Sequence, residues 1–227
     1  MSHYDESPIN PLPWSVMLLS LAMVVPELVF QAAENGLINI DNALGWRVDA
    51  IARWGFWPEW FDWMVARSLY PLDEVARIFT YSFINTGFMG TVFALVFTLA
   101  LGKMVGESMS NAAVLVIYLG SATVAALVYW LILNDPFPLV GGITGAYGLI
   151  GGYTFLLWLR QVAIGGPQSQ AFVLIAVLMG IQLIFGLFFD TGSGWFADLI
   201  AFFAGFGLSF LVVPGGFKRL LGFLRSK

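Results

Sequence analysis

The residue types that carry most enzyme chemistry are nearly missing from this chain of 227 residues. It has one histidine, His3 in the N-terminal tail, and no cysteine. A His–His metal pair, a His-Glu-x-x-His motif and a Ser–His or Cys–His dyad all need a histidine in the folded body. Without cysteine no disulfide, thiolate nucleophile or cysteine-based metal site can form. The sequence therefore predicts no cofactor and no metal site.

Two acidic side chains that interrupt long apolar runs are the remaining candidates for chemistry. Glu27 lies in the run at residues 14–33, and Asp198 is the one charged residue in the run at residues 191–217. An ionisable residue inside a membrane segment is a candidate functional site by default. For Glu27 a second interpretation stays open, in which the side chain lies near the outer end of its run and reaches interfacial water.

The composition places these residues in a membrane protein. Hydrophobic residues make up 59% of the chain and charged residues 11%, against about 45–50% and about 25% in ordinary globular domains. A soluble enzyme is therefore nearly excluded. The formal net charge of −4 gives no basic surface for a phosphate backbone, so we expect no nucleic-acid partner.

Charged residues divide the chain into apolar intervals long enough to cross a bilayer. A hydrocarbon core about 30 Å thick needs about 20 apolar residues in a helix. Besides residues 14–33, the intervals lie between Arg77 and Lys103, Glu107 and Asp135, Asp135 and Arg160, Arg160 and Asp190, and Asp190 and Lys218. We predict an all-α polytopic protein with six transmembrane helices at 14–213, an N-terminal tail at 1–13 and a basic tail at 214–227.

The distribution of Lys and Arg predicts the orientation. Lys103, Arg160 and the basic tail fall on the same side, and the short connections near Asp135 and Asp190 carry no Lys or Arg. The arginines of the first loop reduce this contrast. By the positive-inside rule both termini are cytoplasmic, and we expect an integral protein of a bacterial inner membrane.

The first outer loop, at about residues 34–76, is rich in tryptophan. Its segment ALGWRVDAIARW predicts an amphipathic helix with Leu44, Val48 and Ile51 on one face. Tryptophan prefers the headgroup level of a bilayer. We interpret the loop as embedded in the outer leaflet, with its aromatic residues facing lipid and its Arg and Asp residues facing water. The alternative is a small folded cap with an aromatic core.

Glycines dominate the fourth predicted span. Gly141, Gly145, Gly148 and Gly152 recur at i, i+4, i+7 and i+11, which is one face of a helix with two GxxxG units. Pro136 and Pro138 precede them, so we expect irregular backbone that becomes helical only near Gly142. Small residues recur in the sixth span at Ala201 and Gly205. This pattern predicts that spans four and six pack together in the centre of the bundle.

Three stretches, taken in order, resemble the rhomboid family of intramembrane serine proteases. The second span, RIFTYSFINTGFMGTVFALVFTLALGKMVGE, is similar to the family pattern Arg-x-x-Thr-Tyr-x-Phe-x-His-x-Gly-x-x-His-x-x-x-Asn, closed by Gly, a basic residue and Glu. The fourth span, GGITGAYGLIGG, is similar to the Gly-x-Ser-Gly-Ala helix of the family. The sixth, FADLIAFFAGF, is similar to Ala-His-x-x-Gly-x-x-x-Gly. The resemblance covers about residues 77–210 and implies a six-helix core.

The chain departs from the family pattern at the positions that carry the chemistry. In active members a serine on helix four is the nucleophile and a histidine on helix six is its base; here these positions are Thr144 and Asp198. The helix-two His, His and Asn that stabilise the oxyanion correspond here to Asn85, Gly90 and Ala94. The resemblance therefore implies no working catalytic residues, and we expect the Thr144 hydroxyl to hydrogen-bond Asp198 as a structural contact.

These departures predict a rhomboid-like pseudoprotease. The resemblance implies a lateral opening between spans two and five, through which the family inspects a substrate helix. We expect this chain to lie in membrane lipid and to bind, retain or chaperone another transmembrane protein through those spans or the first outer loop. Two alternatives stay open: an active threonine-type intramembrane protease using Thr144 and Asp198, and an accessory subunit of a larger membrane complex.

Overall fold

Helices account for nearly all of the regular structure. The computed structural model describes residues 11–38, 43–133, 135–188 and 192–213. His3, most of the predicted N-terminal tail and all of the predicted basic tail at 214–227 lie outside these ranges. The helices are α1 (Trp14–Glu34), α2 (Trp46–Trp54), α3 (Pro58–Arg67), α4 (Leu72–Thr80), α5 (Phe88–Ser108), α6 (Asn111–Ile132), α7 (Ile143–Ile164), α8 (Val173–Phe188) and α9 (Gly194–Val212), with 3₁₀ turns at Ala43–Gly45, Tyr81–Phe83 and Gln168–Phe172. The all-α prediction is confirmed for the described chain.

Local sequence explains where several helices begin and end. Pro13 precedes α1, and Pro58 is the first residue of α3, where a missing N–H removes no intrahelical bond. Ser110 caps α6, because its hydroxyl accepts a hydrogen bond from the N–H of Ala113 at 3.0 Å. Gly165 ends α7 at φ 67°, a left-handed conformation that favours glycine.

Within the described residues, four helices are long and apolar enough to cross a membrane by length and composition. They are α1, α5, α6 and α9, with mean hydropathies between 1.9 and 2.1. The 22-residue α7 has glycines and threonines that lower its hydropathy, and the 16 residues of α8 are fewer than the about 20 that a spanning helix needs. The fold is thus an all-helical membrane bundle, and the count of six spans stays a prediction.

Helix α7 lies in the middle of the bundle and packs against α5, α6 and α9. A side chain at Gly145 would overlap the ring of Tyr118 on α6, and one at Gly148 would overlap Ser121 on the same helix. On α9, a side chain at Gly205 would overlap the backbone of Gly148. The absence of side chains therefore allows the backbones of α7 and α9 to touch.

Two details of the predicted glycine face need correction. Gly141 is not part of the helix: it lies before α7 with φ 117°. The face that carries Gly145, Gly148 and Gly152 is turned mainly to α6, whereas Gly151, which the spacing did not single out, meets the backbone of α9. The prediction that the chain becomes helical near Gly142 is confirmed, since α7 begins at the next residue.

Helices α2, α3 and α4 form one end of the bundle, called here the loop face. The last carbonyls of α2 are bound by α4, because Arg77 donates to the carbonyl of Ala52 at 2.8 Å and Thr80 to that of Trp54 at 2.9 Å. A side-chain hydrogen bond from Trp130 Nε1 to Asp62 at 2.8 Å attaches α3 to the end of α6. These contacts hold the loop face against the spanning helices.

The predicted orientation of the loop arginines is wrong at Arg47, which is 8% exposed. Arg77, at the boundary of the loop, is also buried, at 7% exposed. Both guanidinium groups have carboxylate partners, Glu27 and Glu34 for Arg47 and Glu74 for Arg77, and a paired charge can be buried. The helix itself, α2, lies where the segment predicted it; the side chain of Leu44 lies outside the described residues.

Candidate functional site

The residues at the predicted nucleophile and base positions touch each other. Thr144 is the second residue of α7 and Asp198 the fifth of α9, and each is 4% exposed. The hydroxyl of Thr144 donates to Asp198 Oδ1 at 2.9 Å. This is the interhelical hydrogen bond expected from the sequence. It forms because the glycines of α7 bring that helix and α9 close together near these residues.

A third side chain, which sequence reasoning missed, completes the site. Gln182 on α8 donates through Nε2 to Asp198 Oδ2 at 2.9 Å. Both oxygens of the carboxyl group therefore have partners, one on α7 and one on α8. The signal was present in the sequence, because Gln182 is the one polar residue in the helix VLIAVLMGIQLIFGLF.

Asn85 stands beside the start of α7. Its side-chain oxygen accepts a hydrogen bond from the N–H of Gly142 at 3.0 Å. The Asn85 amide nitrogen is buried and has no hydrogen-bond partner in the described chain. Because Gly142 donates to Asn85, its backbone N–H is not free to stabilise an oxyanion near Thr144.

The other two family positions of the second predicted span lie on α5 and contribute no donor to the site. Gly90 lies on an exposed part of α5, and Ala94 is fully buried with a methyl side chain. The polar residue between them, Thr91, donates instead to Glu27 Oε2 at 2.7 Å. Thr91 on α5 therefore supports Glu27 rather than the Thr144 site.

Glu27 belongs to a second polar cluster, centred on Arg47. The carboxylate of Glu27 is 5% exposed and accepts from Arg47 Nη1 and Nη2, both at 2.9 Å. Arg47 also donates from Nε to Glu34 at 2.7 Å and from Nη1 to the carbonyl of Asn85 at 3.1 Å. The interpretation in which Glu27 reaches interfacial water is therefore wrong.

The electrostatics of this cluster favour the ion pair. Hydrogen bonding to Glu27 raises the pKa of Arg47 above its ordinary value, against the opposing effect of burial. A bidentate arginine–carboxylate pair is among the strongest polar contacts in proteins. Through the carbonyl of Asn85 this cluster is joined to the residue that binds the start of α7, so α1, α2 and α7 are linked by one chain of polar contacts.

A cavity of about 420 Å³ opens above Thr144 and Asp198. Its walls come from Ile51 on α2, from residues 137–140 before α7 and from residues 192–194 at the start of α9. Gln182 does not line this cavity and approaches Asp198 from the α8 side. The wall before α7 is fixed to the loop face by two backbone hydrogen bonds between Leu139 and Phe56, at 2.9 and 3.0 Å.

The chemistry open to this site is narrow. In the described part of the chain no group of three His, Cys, Asp or Glu residues is placed to hold a metal ion. The polar atoms that converge are one hydroxyl, one carboxyl group and one carboxamide, on Thr144, Asp198 and Gln182. Such a set can accept and donate hydrogen bonds to a polar group placed among the helices.

Comparison with known proteins identifies the scaffold. A family model described as "Rhomboid domain" matches residues 72–215, which is more than half of the chain. The matched region begins at α4 and contains α5 to α9, including Thr144, Gln182 and Asp198. A search of curated proteins found no match. The chain therefore belongs to the rhomboid family of membrane proteins.

Proposed function

We propose that this chain is a rhomboid-family protein that binds the transmembrane helix of another membrane protein without cleaving it. The observation that carries the proposal is the contact between Thr144 and Asp198 at 2.9 Å, at the positions where active relatives in this family have serine and histidine. The scaffold that positions the two residues is kept, and the groups that would do the chemistry are replaced.

The replaced base is poorly suited to activate a hydroxyl. A nucleophilic Thr144 would need a partner that takes its proton. A carboxylate with a reference pKa of about 3.9 is a weak acceptor for an alcohol proton, and the second oxygen of Asp198 already binds Gln182. The hydrogen bond that would resemble a catalytic dyad therefore serves better to join α7 and α9.

The oxyanion side argues in the same direction. Loss of one oxyanion donor typically lowers the rate about 100- to 1000-fold. Here Gly90 and Ala94 have no side-chain donor, and the N–H of Gly142 is already bound to Asn85 at 3.0 Å. More than one source of transition-state stabilisation would thus be missing.

The surfaces that face lipid support a binding role. Exposed apolar side chains follow α5 and α8; they are Phe88, Met89, Phe93 and Val96 on α5, and Val173, Val177, Ile181 and Ile184 on α8. Partner contacts through these two helices or the loop face fit the short connections at the opposite end, which offer little surface. On this proposal the chain binds, retains or chaperones its partner at the α5 and α8 side of the bundle.

A second candidate, a threonine-type intramembrane hydrolase, is favoured by one observation. The cavity of about 420 Å³ reaches both Thr144 and Asp198, so a polar substrate segment has a route to the pair. A role as a subunit of a larger complex would use the same lipid-facing surfaces and differs in being permanent.

Proteolysis assays separate the two candidates. The purified protein in lipid vesicles is expected to leave generic rhomboid substrates intact, and a serine-directed fluorophosphonate is expected to leave Thr144 unlabelled. Cleavage that is present in the wild type and lost in Thr144→Ala would replace the proposal with the hydrolase.

Binding is tested by cross-linking in native membranes. Tryptophan substitutions facing lipid on α5 (Val96→Trp) and α8 (Val177→Trp) are expected to release a cross-linked partner. The matched control, Val116→Trp, is also lipid-facing but lies on α6 and should retain it, as should truncation after Lys218. If the partner were released by Val116→Trp alone, or by the truncation alone, the interface would lie on α6 or in the C-terminal tail instead.

A further inference from the structure

The inward face of α8 carries an amide group. Ile175 and Met179 are 7% and 8% exposed, and Gln182 follows them at the spacing i, i+4 and i+7, which is one face of a helix. The opposite face, with Val177 and Ile181, is about half exposed. Gln182 is thus a polar residue on the face by which α8 packs against α7 and α9.

The acceptor oxygen of this amide is unused. Nε2 of Gln182 donates to Asp198, while Oε1 is buried and has no partner in the described part of the chain. Because the atom is buried, bulk water cannot satisfy it. An unsatisfied acceptor in a membrane segment is costly, so a donor brought to this position would be bound favourably.

The group that fits both atoms of Gln182 is another carboxamide. Its NH₂ can donate to Gln182 Oε1 while its oxygen accepts from Gln182 Nε2, a reciprocal amide pair. A lysine or arginine carries a charge that is much more expensive to insert in a bilayer. Serine and threonine hydroxyls in helices commonly bond their own backbone carbonyls four residues earlier.

We propose that Gln182, with Asp198 behind it, recognises an asparagine or glutamine in the transmembrane helix of the bound partner. This inference rests on the proposed function and adds the chemistry of the partner to it. The incoming amide uses Oε1 and the second N–H of Gln182 Nε2, and Asp198 keeps its hydrogen bonds from Gln182 and Thr144. Gln182 lies six residues from the end of α8, about 9 Å along the helix, which sets the depth of the partner's amide.

The experiment uses the full chain in phosphatidylcholine–phosphatidylglycerol vesicles. Because the chain has no cysteine, Arg160→Cys gives a single labelling position for energy transfer to a labelled peptide. The peptides are Leu–Ala helices of about 20 residues with asparagine six residues from one end, with asparagine at the midpoint, or with leucine throughout. We expect the first to bind about 3- to 30-fold more tightly than the leucine peptide, the range for an interhelical hydrogen bond in a bilayer.

Two variants locate the effect. In Gln182→Leu the affinities for the asparagine and leucine peptides are expected to differ by less than about twofold. This limit lies below the smallest preference that an interhelical hydrogen bond would give. Gln161→Leu, the same change at the far end of α7, is expected to keep the preference. Should Gln182→Leu fail to fold, the comparison of asparagine positions in the wild type still decides, because only the end position matches the depth of Gln182.

The outcomes separate this inference from the proposed function. Equal binding of the three peptides to the wild type, or a preference that persists in Gln182→Leu, overturns the role of Gln182 and leaves helix binding intact. Failure of every peptide to bind overturns the proposed function and the inference together. A preference that is lost in Gln182→Leu and kept in Gln161→Leu supports both.

Discussion

Removing Arg47 should destabilise the protein more than removing Arg47 and Glu27 together. In Arg47→Met the guanidinium bonds to Glu27, Glu34 and the carbonyl of Asn85, at 2.7–3.1 Å, are all lost. Among the described residues, the Glu27 carboxylate, 5% exposed, then keeps its bonds from Thr91 and Gln31 alone. Breaking a buried ion pair in this way typically costs about 3–5 kcal/mol of unfolding free energy.

The double variant Glu27→Leu with Arg47→Met removes the buried charge as well. Replacing a buried pair by apolar residues is often neutral or stabilising. Here the Asn85 carbonyl loses its donor, whereas Thr91 keeps a 3.4 Å contact with the carbonyl of Gly87, so about 1–3 kcal/mol of the cost remains. We expect the double variant to recover about 2 kcal/mol of the loss in Arg47→Met.

Reversible unfolding in mixed micelles, followed by far-ultraviolet circular dichroism, measures these differences. Arg47→Lys is the control, because it keeps the charge and loses the bidentate geometry, and it should fall between the wild type and Arg47→Met. A double variant as unstable as the sum of the two single variants would refute the reasoning, since the pair would then contribute as two independent contacts.

Three further predictions concern the packing of α7 and α9 and the site between them. Gly205→Ala should lower the unfolding free energy by about 1–3 kcal/mol, because the new methyl group overlaps the backbone of Gly148. The control Gly207→Ala has open space around it and should be neutral or stabilising. Equal effects of the two variants in thermal unfolding would contradict the close contact of α7 and α9. Asp198→Asn should be nearly neutral, because the amides and the hydroxyl can re-pair, while Asp198→Leu should cost about 1–3 kcal/mol; chemical unfolding that ranks Asn below Leu would contradict this. Thr144→Ser with Asp198→His should stay inactive in vesicle cleavage assays until Asn85→His and Ala94→Asn are added; cleavage by the double variant alone would show that oxyanion stabilisation has survived.

The positions of the helices could be read from the sequence because membrane segments have a one-dimensional signal. Long apolar runs predicted α1, α5, α6 and α9, and the prolines before Gly142 predicted the late start of α7. The spacing of glycines indicated a tightly packed α7 but not which face meets which helix. Gly151, whose neighbours are on α9, was missed for that reason.

The polar contacts of the site were only partly predictable. The resemblance to rhomboid proteins put Thr144 and Asp198 at the family's nucleophile and base positions, and the structure places the two side chains in contact. The resemblance could not assign a role to Gln182, because that residue matches no motif and its bond to Asp198 joins two different helices. The loop arginines were placed in water because charged residues usually are, and the sequence did not reveal the acids that neutralise them.

The sequence by itself determined that this is a membrane protein, which family its pattern resembles, and that no histidine is available to its membrane domain. These properties depend on composition, on the length of apolar runs and on residue identity at single positions. Only the tertiary structure decided that Arg47 is buried against Glu27, that Asn85 occupies the N–H of Gly142 and that Gln182 shares Asp198 with Thr144. Each of these depends on the distance between side chains from different helices, which is set by the packing of the whole bundle.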